Sequence, residues 1–320
     1  MANIINELKT RIDGKGLKIV FPEANDERIV EAAVRLAEEG LIKPILLGNE
    51  QIIPSGYDVS KCELLDPNNY PEFEEMVASF VERRKGKNTE EQARKMLLDE
   101  NYFGTMLVYM NKADGLVSGA CHSTGDTVRP ALQIIKTKPG VSRTFGYFLM
   151  TRDDEKYIFG DCAINPNPEA ADLAEFAIES AKAAEMFGIT PKVALLSFST
   201  NGSANTDETK KVVEATKIAK AANSGYEIDG EMQFDAAFVP SVGTKKYPGS
   251  EVAGNANTFI FPDLNSGNIG YKIAQRLGKF DAMGPILAGL NSPVNDLSRG
   301  CNSDDAYKTA IITAAQSLIK

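Results

Sequence analysis

Asn295, Asp296, Ser298, Arg299, Cys301, Asp304 and Asp305 set an amide, a hydroxyl, a guanidinium, a thiol and three carboxylates within eleven consecutive positions. An arginine beside a hydroxyl can hold an oxyanion, and a carboxylate a few residues away can take a proton next to it. Pro285 and Pro293 lie close by, and Gly300 leaves little room for a regular element around Arg299. The run 306–319 repeats apolar residues at helical spacing, so the polar stretch opens a helix. Asn302 or Ser303 can cap it, with Asp304 and Asp305 in the first turn, where carboxylates suit the dipole. Each residue alone also fits an ordinary capped loop. The arginine, serine and acid together point to an anion site.

A second polar group lies in ACHSTGDT (120–127), between a short buried strand at 115–119 and a helix at 128–138 that Asp126 or Thr127 can cap. Free backbone N–H groups at such a helix start suit a phosphate or carboxylate. Ser118, Ser123, Thr124 and Arg129 add side-chain donors. The chain's single histidine, His122, falls here. A lone loop histidine is more commonly a hydrogen-bonding or packing residue than a catalytic one, and without a second there is no HExxH or histidine-rich metal centre. Loops 199–206 and 262–268 are likewise small, polar and followed by helices. In open parallel sheets, ligands sit beyond the carboxyl ends of the strands.

The elements that must carry these loops read as α/β. Strand 17–21, a helix capped by Asn25 or Asp26 and stopped by Gly40, and strand 44–47 form a βαβ unit, hence a parallel sheet. A short strand at 62–65 and amphipathic helices at 72–85, 90–98 and 103–111 follow. Two β-rich runs, 142–152 and 156–162, flank a hairpin at 153–155. The α/β pattern then resumes with helix 169–187, strand 193–198, helix 207–222, strand 258–261 and helix 269–277. Residues 231–239 fit strand or helix equally. The break near Ser142 predicts two α/β domains, 1–145 together with a returning 288–320, and 146–287, with the site in the cleft between them.

At 320 residues, two domains are expected rather than one core. The net charge of −9 excludes a general nucleic-acid or membrane-surface binder but not a small anionic ligand, which needs only a few arginines. The four cysteines are far apart, without a CxxC pair, which suggests free thiols in the cytoplasm. No apolar run approaches a membrane span, and the start lacks a signal-peptide core. Walker A, GxSxG and GxGxxG patterns are all absent.

Five stretches carry a resemblance across essentially the whole chain: SGACHSTGDTVRPALQIIKTKPGVSR (118–143), FGDCAINPNPEAADLAEFA (159–177), LSFSTNGSA (196–204), FPDLNSGNIGYKIAQRLG (261–278) and GPILAGLNSPVNDLSRGC (284–301). They resemble the phosphate acetyltransferases (phosphotransacetylases) of the phosphate acetyl/butyryl transferase family. The resemblance implies two three-layer α/β domains like those of isocitrate and isopropylmalate dehydrogenases. It also implies reversible acetyl transfer between acetyl phosphate and coenzyme A, giving acetyl-CoA and inorganic phosphate, by a cytoplasmic homodimer without metal or other cofactor. By the same resemblance, Asp305 is the base for the thiol, Ser298 donates to the acetyl carbonyl, and Arg299 holds the phosphoryl group. Arg129 and Arg276 become further anion contacts, as does one of Arg83 and Arg84, carried here as Arg84. Ser123, Thr124 and Asn295 fall in the binding loops, and Cys162 is a cysteine near the site that is not the nucleophile.

The residue types suit that chemistry. Arginine's fork matches two phosphoryl oxygens, where lysine offers a point charge. The base is the awkward part: a carboxylate near pKa ~4 facing a thiol near ~8.5 leaves a gap of roughly 6 kcal/mol. Partial desolvation of the acid or stabilisation of the thiolate can close it. Ser298 as a nucleophile lacks an evident base, and coenzyme A already supplies the thiol that Cys301 or Cys162 would offer. The rival readings are a butyryl or propionyl transferase on the same fold, a two-domain dehydrogenase lacking its metal cluster and nicotinamide pocket, and a phospho-ligand sensor with no need of a base.

Overall fold

The computed structural model describes residues 2–319, so Met1 and Lys320 of the expected first domain lie outside the described residues. The chain divides into two compact units, residues 2–139 with 290–319, and Gly140–Gly289.

In the first unit the chain opens with α1 (Ala2–Ile12), which the sequence reading did not anticipate. Ile4, Ile5, Leu8 and Ile12 recur at helical spacing and are buried. Then come β1 (Lys18–Phe21), α2 (Glu27–Glu38), β2 (Lys43–Leu47), β3 (Glu63–Leu65), α3 (Phe73–Arg84), α4 (Glu90–Met96), α5 (Glu100–Tyr109), β4 (Gly115–Ser118) and α6 (Thr124–Ile134). Asp26 caps α2 by accepting from Arg28 N.

The second unit holds β5 (Phe145–Arg152), β6 (Glu155–Gly160), α7 (Ala170–Met186), β7 (Lys192–Leu196), α8 (Asp207–Ala221), β8 (Glu227–Met232), α9 (Phe234–Phe238), α10 (Pro240–Lys246), β9 (Thr258–Ile260), α11 (Leu264–Arg276) and β10 (Asp281–Ala288). The ambiguous stretch 231–239 is the end of β8 followed by α9. The order β10-β5-β6-β9-β7-β8 is parallel from β6 to β8 and antiparallel from β10 to β6, because the turn at Asp153 folds β6 straight back on β5. Helices α7 and α8 pack on β6, β7, β8 and β9, while α11 packs against β10, β5 and β6.

The chain returns to the first unit through β11 (Val294–Asp296) and α12 (Ser303–Ser317). The first sheet is wholly parallel, in the order β11-β4-β1-β2-β3. Its central strands are buried on both faces, which is why they read as continuous apolar runs. Helices α1, α2 and α12 pack together, α12 against β4 and β1, while α5 packs on β4 and β1 and joins α6, which also meets α3. Both units are α/β.

Candidate active site

Strands β11, β4 and β1 are parallel neighbours, so the segments that follow them leave from one edge of the first sheet. These segments carry most of the residues singled out by type and spacing. Beyond β11 the chain makes a tight turn, with Cys301 N donating to the Ser298 carbonyl at 2.9 Å and Gly300 N to Ser298 Oγ at 3.2 Å. Ser298 and Arg299 are exposed on this turn. Among the described residues, no hydrogen bond or ion pair engages the Arg299 guanidinium.

The expected irregular loop thus begins as a strand. Its polar residues Asn295 and Asp296 disguise β11, because their side chains point inward. Asn295 is fully buried and donates to Thr313 Oγ1 at 2.8 Å and Gln316 Oε1 at 2.7 Å, tying β11 to α12. Its placement is that of an internal brace, not of a side chain open to a ligand.

Asn302 caps α12, as one of the two expected residues. Its Oδ1 accepts from Asp305 N at 2.9 Å, and Asp305 Oδ2 accepts from Asn302 N at 3.0 Å, a reciprocal capping box. Asp305 is exposed, with this oxygen engaged in the cap.

Beyond β4, α6 starts earlier than the expected residue 128, and its cap is Ser123 rather than Asp126 or Thr127. Gly125 gives the first turn a loop-like composition, but the Ser123 hydroxyl captures Asp126 N and closes it. Ser123 and Thr124 therefore stand at a helix N-terminus, where free N–H groups attract anions. Arg129 lies one turn on, largely exposed and 3.8 Å from Asp126. Tyr102 feels the charges of both Arg129 and Arg84, which places these two arginines in one neighbourhood. Arg84 binds Asn88 Oδ1 at 3.0 Å, whereas Arg83 is spent on the carbonyls of Ile134 and Ile135.

Glu23 and Arg28, which neither type nor spacing marks, and Asp296, marked only as one acid of the polar stretch, hold this edge together. Glu23, after β1, is buried and accepts backbone N–H groups from Gly119, Ala120, Cys121 and His122 at 2.7–3.0 Å. It also sits 2.7 Å from His122 Nδ1, the bond that occupies this histidine. Arg28 donates to the carbonyls of Arg299, Cys301 and Ala120 at 2.8, 2.9 and 3.0 Å, and pairs with Asp26 at 2.6 Å. Asp296, 2% exposed, accepts from Thr124 Oγ1 at 2.7 Å. Only tertiary pairing reveals these roles, since each links segments remote in sequence.

Arg276 and Cys162 belong to the second unit. Arg276 is exposed at the end of α11, which begins at Leu264 under an Asp263 cap, earlier than the expected residue 269. Cys162 follows β6 and is fully buried, so its thiol is pushed well above the ordinary range. Burial likewise raises Cys301, and burial followed by Asp26 pushes Cys121 up to about 11. None of these three is poised as a thiolate.

Parallel strands here end on an arginine, hydroxyls and a helix N-terminus, groups that suit a small anion. The chain belongs to the phosphate acetyl/butaryl transferase family, whose model matches residues 3–314. It is 61% identical to a phosphate acetyltransferase of Bacillus subtilis (strain 168), over 99% of this chain and all of that protein. A phosphotransacetylase from Streptococcus pyogenes superposes with a TM-score of 0.98 at 58% identity, covering 100% of this chain and 99% of that one. A phosphotransacetylase from Staphylococcus aureus gives 0.93 at 60% identity, covering 99% and 98%. This chain is accordingly an enzyme, a transferase of that family.

Proposed function

We infer that this chain moves an acetyl group reversibly between acetyl phosphate and coenzyme A, forming acetyl-CoA and inorganic phosphate. The observation that carries the reading is the grouping of Ser298, Arg299 and the start of α6 at adjoining strand ends of one sheet. Identity of about 60% to phosphate acetyltransferases along the full chain supports the same substrates.

In this reading the fork of Arg299 holds the phosphoryl oxygens, with the hydroxyls and free N–H groups around Ser123 and Thr124 beside it. Arg129, Arg84 and Arg276 add anion contacts for phosphate and for coenzyme A. Asp305 accepts the thiol proton, and the thiolate attacks the acetyl carbon. Ser298 donates to the carbonyl oxygen as negative charge gathers there. The bond from that carbon to the phosphate oxygen breaks, and phosphate leaves with the bonding pair. No acyl-enzyme forms, a scheme supported by the raised thiols of Cys162, Cys301 and Cys121. The buried Asn295 braces β11 against α12 in the first unit, and Cys162, buried after β6 in the second, is not a nucleophile. Coenzyme A is a substrate here, and the reaction needs no further cofactor.

The active form in this reading is a cytoplasmic homodimer. The second unit exposes Phe234, Phe238, Ile273 and Leu277 around an apolar hollow of about 490 Å³, the kind of surface that a second copy covers. The four unpaired cysteines suit a reducing compartment. No helix among the described residues is long and apolar enough to cross a membrane.

The test is thioester formation from coenzyme A with acetyl phosphate and, in parallel, butyryl phosphate. Faster turnover of acetyl phosphate is expected. Preference for butyryl phosphate would keep the chemistry and move the substrate, and turnover of neither would overturn the reading.

A further inference from the structure

Asp296 ends β11, two residues before Ser298, and is 2% exposed in a setting that does not favour a carboxyl group. Its Oδ2 accepts from Thr124 Oγ1 at 2.7 Å, while its Oδ1 is buried with no hydrogen-bond partner. Ser118 Oγ, on the residue paired with Asp296 across β4, is also buried without a partner, while the buried Thr127 hydroxyl on α6 faces the Asp296 carboxyl. A buried carboxyl is costly to desolvate, so its bond to Thr124 needs a reason beyond filling space. The backbone is fitted closely around this carboxyl. Leu297 N donates to the Ser118 carbonyl at 2.7 Å, and Gly119 follows at φ +114°, where a Cβ would clash with Asp296 Oδ1 and lie 2.6 Å from the Leu297 carbonyl.

We propose that Asp296 is a positioning residue for the transfer: it fixes Thr124, and with it the first turn of α6, against the Ser298–Arg299 turn. The inference rests on the proposed reaction, in which those two turns share the phosphoryl group. The carboxyl itself touches no substrate. It acts by joining the end of β11 to the start of α6 through one short bond, so that donors from both close on the same oxygens. Positional errors of this kind are costly, because reacting groups must be held near their productive geometry.

The experiment compares Asp296→Ala, Asp296→Asn, Thr124→Val and the Asp296→Ala/Thr124→Val double variant. Steady-state constants for both substrates and the Tm of each protein are measured. Asp296→Ala is expected to lower kcat/KM for acetyl phosphate roughly 10- to 100-fold, with KM for coenzyme A within about threefold of wild type. Asp296→Asn keeps an oxygen for Thr124 and should recover most of the loss. The double variant should be no worse than the more severe single variant, since both singles remove the same bond. Independent, multiplying losses would overturn the proposal, as would a lowered Tm with unchanged constants per folded molecule. Inorganic phosphate binding by calorimetry on the same proteins needs no turnover. If wild type makes no acetyl-CoA, non-additive loss of phosphate affinity still supports the positioning role, and unchanged affinity sinks it.

Discussion

Arg28 Nη1 donates to the backbone carbonyl of Arg299 at 2.8 Å, across 271 residues of sequence. The same guanidinium reaches Cys301 O and Ala120 O, so one side chain from the start of α2 ties down the turns after both β11 and β4. Lysine cannot replace this fork, because its point charge cannot serve three diverging carbonyls and Asp26 at once.

Arg28→Gln should therefore lower activity more than tenfold and stability by about 2–3 kcal/mol, with Arg28→Lys little better. Arg28 also holds Asp26 down to about 2. A lowered carboxylate contributes stability above its unfolded pKa that is lost as pH falls, here from about 4 to about 2. That acid-side loss should shrink in Arg28→Gln. Urea unfolding at stepped pH checks it, and superimposable acid limbs would contradict it.

Asn295→Ala removes donors to Thr313 and Gln316 from a fully buried position. The expected cost is about 2–3 kcal/mol, with KM for coenzyme A nearly unchanged. A large rise in that KM at unchanged Tm would return Asn295 to ligand contact.

Burial lifts Asp296 to about 6, with Glu23 adding to the rise while the Thr124 and Thr127 hydroxyls and the Arg299 charge oppose it. A carboxyl that holds its proton more tightly folded than unfolded gives stability that is complete below about 4 and lost as pH rises toward 6. From the ordinary 3.8 to about 6 the loss is about 3 kcal/mol. Asp296→Asn should lack this decline, so its stability relative to wild type should rise between pH 4 and 6. A constant difference across that window would refute the assignment.

Much of the first sheet was legible because β1, β2 and β4 are buried on both faces and read as apolar runs with clear caps. Ser298, Arg299 and Asp305 together mark a candidate anion site by residue type, but their separate roles come only from the family resemblance. Strand β11 did not, since its inward Asn295 and Asp296 have the composition of a loop. The starts of α6 and α11 read late in the sequence because Gly125 and Gly267 dilute the helical signal in their first turns, while Ser123 and Asp263 supply the caps. Arg28 and Glu23 left no local trace. Their bonds go to backbone groups about 100 or more residues away, and no spacing rule reaches that far.

Arg299→Lys should keep the Tm within a few degrees while kcat/KM for acetyl phosphate falls by roughly two orders of magnitude, the loss of one bidentate pair. Near-full activity would remove the arginine from that role.

The most direct measurement is the rate of acetyl-CoA formation by wild type and Asp305→Asn from acetyl phosphate and coenzyme A, across pH 6–9. Asparagine can still accept from Asn302 N, so the α12 cap should survive. The expected result is rapid turnover by wild type and a loss of 10²-fold or more in the variant, partly relieved at high pH as the thiol ionises unaided. Wild-type turnover that Asp305→Asn retains in full would show that this carboxylate is only a helix cap and that the proton goes elsewhere.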